Sequence, residues 1–201
     1  MINIGRPTLD QRRKLSGLID NESSFVLSDA DKNILIDKGV VMELRAGEAL
    51  IVDGEINTNV YIVLDGIMRN WFWNGDIEKT AFFCTEGTLI ISCHGFALDL
   101  PSPSSWEACC SSRIFMLDKD AFMSMVNTSH DFARWCLINA YMQLAFINIK
   151  NSVIQGKACD RYASLVKNRP EIIRNVPLKI IASYLGITPQ HLSYIRRKIK
   201  K

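Results

Sequence analysis

The chain predicts an α+β fold in three parts. First comes an N-terminal antiparallel β-barrel of the jelly-roll, double-stranded β-helix kind, then one long connecting helix, then a small helical domain ending in a helix-turn-helix. Three observations carry this. Between Val40 and Leu117, short β-rich runs alternate with turns such as Asp53-Gly54-Glu55, Asp65-Gly66 and Asn74-Gly75-Asp76. Asp-Gly and Asn-Gly between such runs are the strongest short-range hairpin signals, and many short strands at this spacing suit a small barrel or sandwich. From about Asp131 to Gln155, apolar residues recur at steps of three and four, the period of a helix. The segment 178–197, LKIIASYLGITPQHLSYIRR, then places two short helical patterns on either side of a glycine. The expected units are 1–130 for the barrel with its N-terminal helices, 131–155 for the connecting helix and 156–201 for the helical domain.

Residues 1–38 are polar and helical in pattern. Strands follow at Val40–Arg45, Ala49–Val52, Val60–Leu64, Ile67–Trp73, Ile77–Phe83, Trp106–Cys110 and Arg113–Leu117. Leu100–Ser105 holds Pro101 and Pro103 and is expected to be a loop. A short helix is expected over Asp118–Met125 and a long one from His130 or Asp131 to about Gln155. Along it Trp135, Ile138, Met142, Ala145, Ile149 and Ser152 form a coiled-coil-like seam. Leu137, Tyr141 and Leu144 lie beside that seam. A helix apolar on two faces is too much for one small barrel to cover, so Trp135, Ile138, Met142, Ala145 and Ile149 are expected to pair two copies of the chain. Gly156 marks a hinge, Asp160–Lys167 a further helix, and Arg169-Pro170 a break.

Charge is unevenly placed. The whole chain carries +3, yet residues 157–201 hold 11 Lys and Arg against two acids, Asp160 and Glu171. Residues 1–155 hold 13 bases and 19 acids. The basic block coincides with the helix-turn-helix, which suits phosphate neutralisation. MINIGRPTLDQRRKL lacks the apolar core of a signal peptide, and Phe132–Ile149 is interrupted by Arg134, Asn139, Gln143 and Asn148. A cytoplasmic location and no membrane partner are therefore expected. The six cysteines, Cys84, Cys93, Cys109, Cys110, Cys136 and Cys159, form no CxxC and no zinc spacing, and are read as reduced and structural.

Within the helix-turn-helix, Ile181, Ala182 and Leu185 face inward on the first helix, Gly186 makes the turn and Ile187 plugs the corner. Thr188 is a good N-cap, and Pro189 is pre-set for the first helical position. Leu192 and Ile195 pack the second helix. Thr188, Gln190, His191, Ser193, Tyr194, Arg196, Arg197 and Lys198 are left on or near its outer face, with Lys200 and Lys201 beyond. A helix packed inside and polar and basic outside is the reading head of a DNA-binding domain. Gln190 suits adenine N6 and N7.

The order of parts resembles the CRP/FNR family of bacterial transcription regulators. RAGEALIVDGEINTNVYIVLDGIMR (45–69) and PLKIIASYLGITPQHLSYIRRKI (177–199) carry the likeness. The resemblance implies a homodimer paired through its long helices, a barrel that senses a small effector, and recognition helices that enter the major grooves of a pseudo-palindromic site. It implies double-stranded DNA and RNA polymerase as partners. Cyclic-nucleotide-binding relatives carry a Gly-Glu pair for the ribose and an Arg for the phosphate in one cassette, expected here around Glu86–Cys110. In this chain Thr88 follows Gly87, no arginine lies between Arg69 and Arg113, and Glu107 sits in that segment. A buried phosphate needs a bidentate cation or a nest of N–H groups. The effector is therefore expected not to be a cyclic nucleotide, cyclic AMP included. Its expected pocket is Phe83, Gly87, Thr88, Trp106 and Glu107. No cofactor is expected: no cysteine precedes Cys84 to hold iron and sulfur, and His94 is a lone candidate for haem.

Two other readings compete. An enzyme would need His94, Glu107 or Cys93, but three histidines form no catalytic constellation here. The chain is read as not an enzyme. The alternative is an effector-binding or protein-interaction module whose helix-turn-helix no longer reads DNA.

Overall fold

The computed structural model describes residues 3–21, 24–153 and 157–199, with side chains in the long connecting helix described to residue 145. The order is β1 (Asn3–Gly5), α1 (Leu9–Asn21), α2 (Asp29–Lys38), β2 (Val40–Leu44), β3 (Ala49–Ile51), β4 (Val60–Asp65), β5 (Met68–Asn74), β6 (Ile77–Cys84) and β7 (Leu89–Ile91). It continues with α3 (Cys93–Leu98), β8 (Ser105–Ala108), β9 (Ser112–Leu117), α4 (Lys119–Thr128), α5 (His130–Val153), α6 (Ala158–Asn168), α7 (Pro170–Asn175), α8 (Leu178–Tyr184) and α9 (Pro189–Ile199).

Among the described residues nine strands form two antiparallel sheets, of order β1-β2-β9-β4-β7 and β3-β8-β5-β6. They pack face to face, as an antiparallel jelly roll must. Alternation along each strand divides its side chains between two layers. The run VYIVLD of β4 shows why a continuous apolar stretch is needed there. Tyr61 and Val63 point between the sheets, where they meet Leu44, Met68, Ile90, Trp106 and Ile114. Val60, Ile62 and Leu64 point the other way, against Leu15 and Ile19 of α1, Leu35 and Ile36 of α2, Phe122 of α4 and Phe132 of α5. The first sheet is thus covered on both faces.

The C-terminal domain packs on the β6 edge of the second sheet and on the residues flanking it. Ile67, Phe83 and Cys109 share one apolar cluster with Tyr162, Leu165, Ile172, Val176, Ile181, Ala182, Leu185, Leu192 and Ile195. Burial there pushes the Cys109 thiol up to about 12.

Several expectations need correction. Residues 1–38 are not wholly helical: Asn3–Gly5 adds an edge strand to β2. Leu89–Ile91 and Cys93–Leu98 are a strand and a helix too short for any period to register. Cys109 and Cys110 lie past the end of β8 rather than in it. Arg169 does end α6, but Pro170 at once opens α7, since a missing N–H is harmless at a first helical position.

The expected pairing seam along α5 is only partly exposed. Trp135 is 2% exposed and stacks on Phe132 within the core, so it is not available to pair with a second copy. Asn139 is buried with it and donates to the Trp135 carbonyl. Ile138 is half-buried, and Met142 and Ala145 are exposed. The side chains of Ile149 and Ser152 lie outside the described residues. The bared apolar surface is Leu137, Tyr141, Met142 and Leu144, between 53% and 64% exposed.

Candidate nucleic-acid interface

The turn between α8 and α9 is built by main-chain bonds. Gly186 takes φ +64°, where a side chain would be strained. Its N–H donates to the Ser183 carbonyl and the Ile187 N–H to the Ala182 carbonyl, each at 3.0 Å. This pair of bonds satisfies the carbonyls that end a helix. Arg161 of α6 donates to the Leu185 carbonyl at 2.8 Å and closes the end. Thr188 then caps α9: its Oγ1 accepts from the His191 N–H, and its carbonyl from the Leu192 N–H.

Leu192 and Ile195 of α9 are fully buried against Ile181, Ala182 and Leu185. The opposite face presents Thr188, Gln190, His191, Tyr194, Arg197 and Lys198, all exposed. Arg196 is half-buried. So is Ser193, whose hydroxyl donates to the Pro189 carbonyl instead of facing outward. Lys200 and Lys201 lie outside the described residues.

The five residues expected to line an effector pocket do not converge. Trp106 is inside the barrel, edge-on to Phe82 at 5.2 Å between ring centroids. Phe83 points out of the barrel and packs on Tyr184 of α8, with centroids 4.9 Å apart. Gly87 and Thr88 are held at the β6–β7 turn by main-chain bonds with Val63. Glu107 does not oppose a ligand; it forms an ion pair with Arg69 at 3.1 Å. In the expected cassette, Ser92 caps α3 by accepting from the Gly95 N–H, and a Cβ on Gly95 would run into the Asn57 carbonyl. Cys93 and His94 are exposed on α3. Among the described residues no group of three or more His, Cys, Asp or Glu is placed to hold a metal ion. No helix there is long and apolar enough to cross a membrane.

The contact between barrel and helix-turn-helix has no counterpart among the sequence-based expectations. The Ser183 hydroxyl of α8 donates to the Glu78 carbonyl and accepts from the Thr80 N–H, both at 2.9 Å. Arg169 donates to the Thr85 hydroxyl at 3.2 Å. Burial at this contact pushes the Tyr184 phenol up. A cleft of about 570 Å³ lies beside it, between Trp73 and Ile77 of the β5–β6 hairpin and Ile187, Thr188 and Pro189 of the turn. A serine on the outer face of a first helix gives no signal that an edge strand waits for it.

A two-sheet barrel joined by a long helix to a helix-turn-helix defines a class, the architecture of the CRP/FNR regulators and their cyclic-nucleotide-binding-type barrels. Solved structures agree. FixK2 from Bradyrhizobium japonicum superposes with a TM-score of 0.68 at 16% identity, covering 80% of this chain and 83% of that one. A Eubacterium rectale protein described as a transcriptional regulator of the CRP/FNR family gives 0.66 at 15%, covering 87% and 84%. A cyclic nucleotide-binding domain from Methylobacillus flagellatus gives 0.63 at 14%, covering 75% and 85%. No protein-family model and no curated protein matches the sequence. The fold is shared at very low identity.

Proposed function

We propose that this chain is a sequence-specific DNA-binding transcription regulator of the CRP/FNR type and not an enzyme. It works as a homodimer on a pseudo-palindromic site. The observation that carries this reading is α9: buried along Leu192 and Ile195, capped by Thr188, and bare along Gln190, His191, Tyr194, Arg197 and Lys198. Gln190 reads a base edge, while Arg197 and Lys198 hold phosphate. The apolar surface of Leu137, Tyr141, Met142 and Leu144 supports pairing through α5.

The effector, where there is one, is not a cyclic nucleotide. Arg69 is committed to Glu78 and Glu107, and Arg113 to Asp65. No other arginine lies in or between those strands to meet a buried phosphate.

Selection of bound sites from random double-stranded DNA tests the reading. A palindromic consensus is expected, with affinity falling about 10³-fold between 50 and 200 mM salt if about six phosphates are neutralised. No enrichment, or a flat salt profile, overturns it. RNA polymerase recruitment would then be read by transcription from that site.

A further inference from the structure

β6 is an edge strand of its sheet, with β5 on one side. Its free edge would otherwise leave main-chain groups unpaired. Ser183 stands there in place of a next strand, giving its hydroxyl hydrogen to Glu78 and taking one from Thr80. The same residue's carbonyl accepts from Gly186 in the turn that aims α9. One residue thus ties the sensor sheet, by its side chain, to the direction of the recognition helix, by its main chain. Behind it the polar contacts continue. The Glu78 carboxylate binds Arg69 at 2.6 Å, and Arg69 binds Glu107 of β8 at 3.1 Å. Arg69 itself is buried.

We propose that Ser183 is a positioning residue for DNA binding, and that the line Glu107–Arg69–Glu78–Ser183 couples the sensor sheet to the orientation of the reading head. Coupling can be carried by a chain of packed or hydrogen-bonded groups, and here each link between residues is a hydrogen bond or an ion pair. A shift of β8 or β5 moves Arg69, Arg69 moves Glu78, and the Glu78 main chain moves the turn. The route does not run through a cavity in the barrel. The DNA part of this inference rests on the reading under Proposed function; the coupling itself does not.

Hydrogen exchange on the full-length protein tests the coupling without DNA. Ser183→Ala is expected to speed exchange at the Thr80 and Ile187 amides while leaving the barrel core unchanged. Ser183→Thr, which keeps the hydroxyl, restores the wild-type rates. Glu107→Gln, remote from the head, is expected to speed exchange at Ile187. A role in packing alone predicts instead that all slowly exchanging amides accelerate together. The DNA arm compares selected sites with versions whose half-sites are one base pair closer or farther. Ser183→Ala is expected to weaken the discrimination between spacings by about 2- to 30-fold, the range of coupling changes along such routes. Unchanged exchange at Ile187 in Glu107→Gln overturns the coupling. Unchanged spacing preference in Ser183→Ala overturns the positioning role. A wild-type protein that selects no DNA removes the regulator reading, and the exchange arm still decides the coupling.

Discussion

The Arg69 guanidinium lies 3.1 Å from one carboxylate oxygen of Glu107 and 3.3 Å from the other, across the β5–β8 pair. Arg69 is nearly sealed from solvent, while Glu107 and Glu78 keep part of their water. Removing the arginine strands two partly desolvated carboxylates. Arg69→Ala should therefore destabilise the chain by about 3 kcal/mol in urea unfolding, and Arg69→Met with Glu107→Leu, which leaves Glu78 alone unpaired, should recover part of it. Equal losses in the single and double variants would show that the pair is not what Arg69 supports.

Gly186 has open space where a Cβ would go, so any penalty there comes from its φ of +64° alone. Gly186→Ala should lower stability by about 1 kcal/mol without a steric clash. A loss of 3 kcal/mol or more in calorimetry would mean that the turn rearranges.

Met142 and Tyr141 are exposed on α5 beside Leu137 and Leu144. Light scattering should find a dimer for the wild type. It should find monomers for Met142→Lys and Tyr141→Lys, because each places a lone cation in an apolar seam. A monomeric wild type would remove α5 as an interface.

On the proposed reading, base contact and phosphate contact fall to different residues of α9. Gln190→Ala should relax preference at one base pair by about 1–3 kcal/mol. Arg197→Ala should weaken all sequences alike. Identical profiles across a panel of sites would show the roles to be misassigned.

Thiol and carboxyl groups set the pH limits. Burial pushes the Cys109 and Cys136 thiols from an ordinary 9.0 up to about 12. The folded state holds those protons more tightly, so this stability is present below pH 9 and is lost as pH rises towards 12. Arg113 holds the Asp65 carboxyl below its ordinary 3.8, with Lys14 adding to it. That contribution is present above about pH 4 and is lost as pH falls through the folded value. Unfolding midpoints against pH should show both limbs, with the acid limb reduced in Arg113→Ala. Iodoacetamide at pH 8 should label exposed Cys93 and spare Cys109 and Cys136 in the native protein.

Local signals in the chain determined most of the strands and both helices of the helix-turn-helix. Asn74-Gly75 does mark the β5–β6 hairpin, whereas the expected hairpins at Asp53-Gly54 and Asp65-Gly66 are turns between strands that pair elsewhere; Leu192 and Ile195 fix a buried helix face whatever lies across from it. The outer face of α9 was legible for the same reason. What the chain could not disclose is which apolar face meets which partner. Trp135 and Met142 read alike as members of one helical stripe, yet the first is sealed against Phe132 and the second faces solvent. Phe83 and Trp106 both read as barrel aromatics, yet only Trp106 points inward. The pairing of Glu107 with Arg69, 38 residues apart, and of Ser183 with β6, more than 100 residues apart, depends on strand order and domain docking. Those are set by summed burial over the whole chain, and no window of sequence contains that sum.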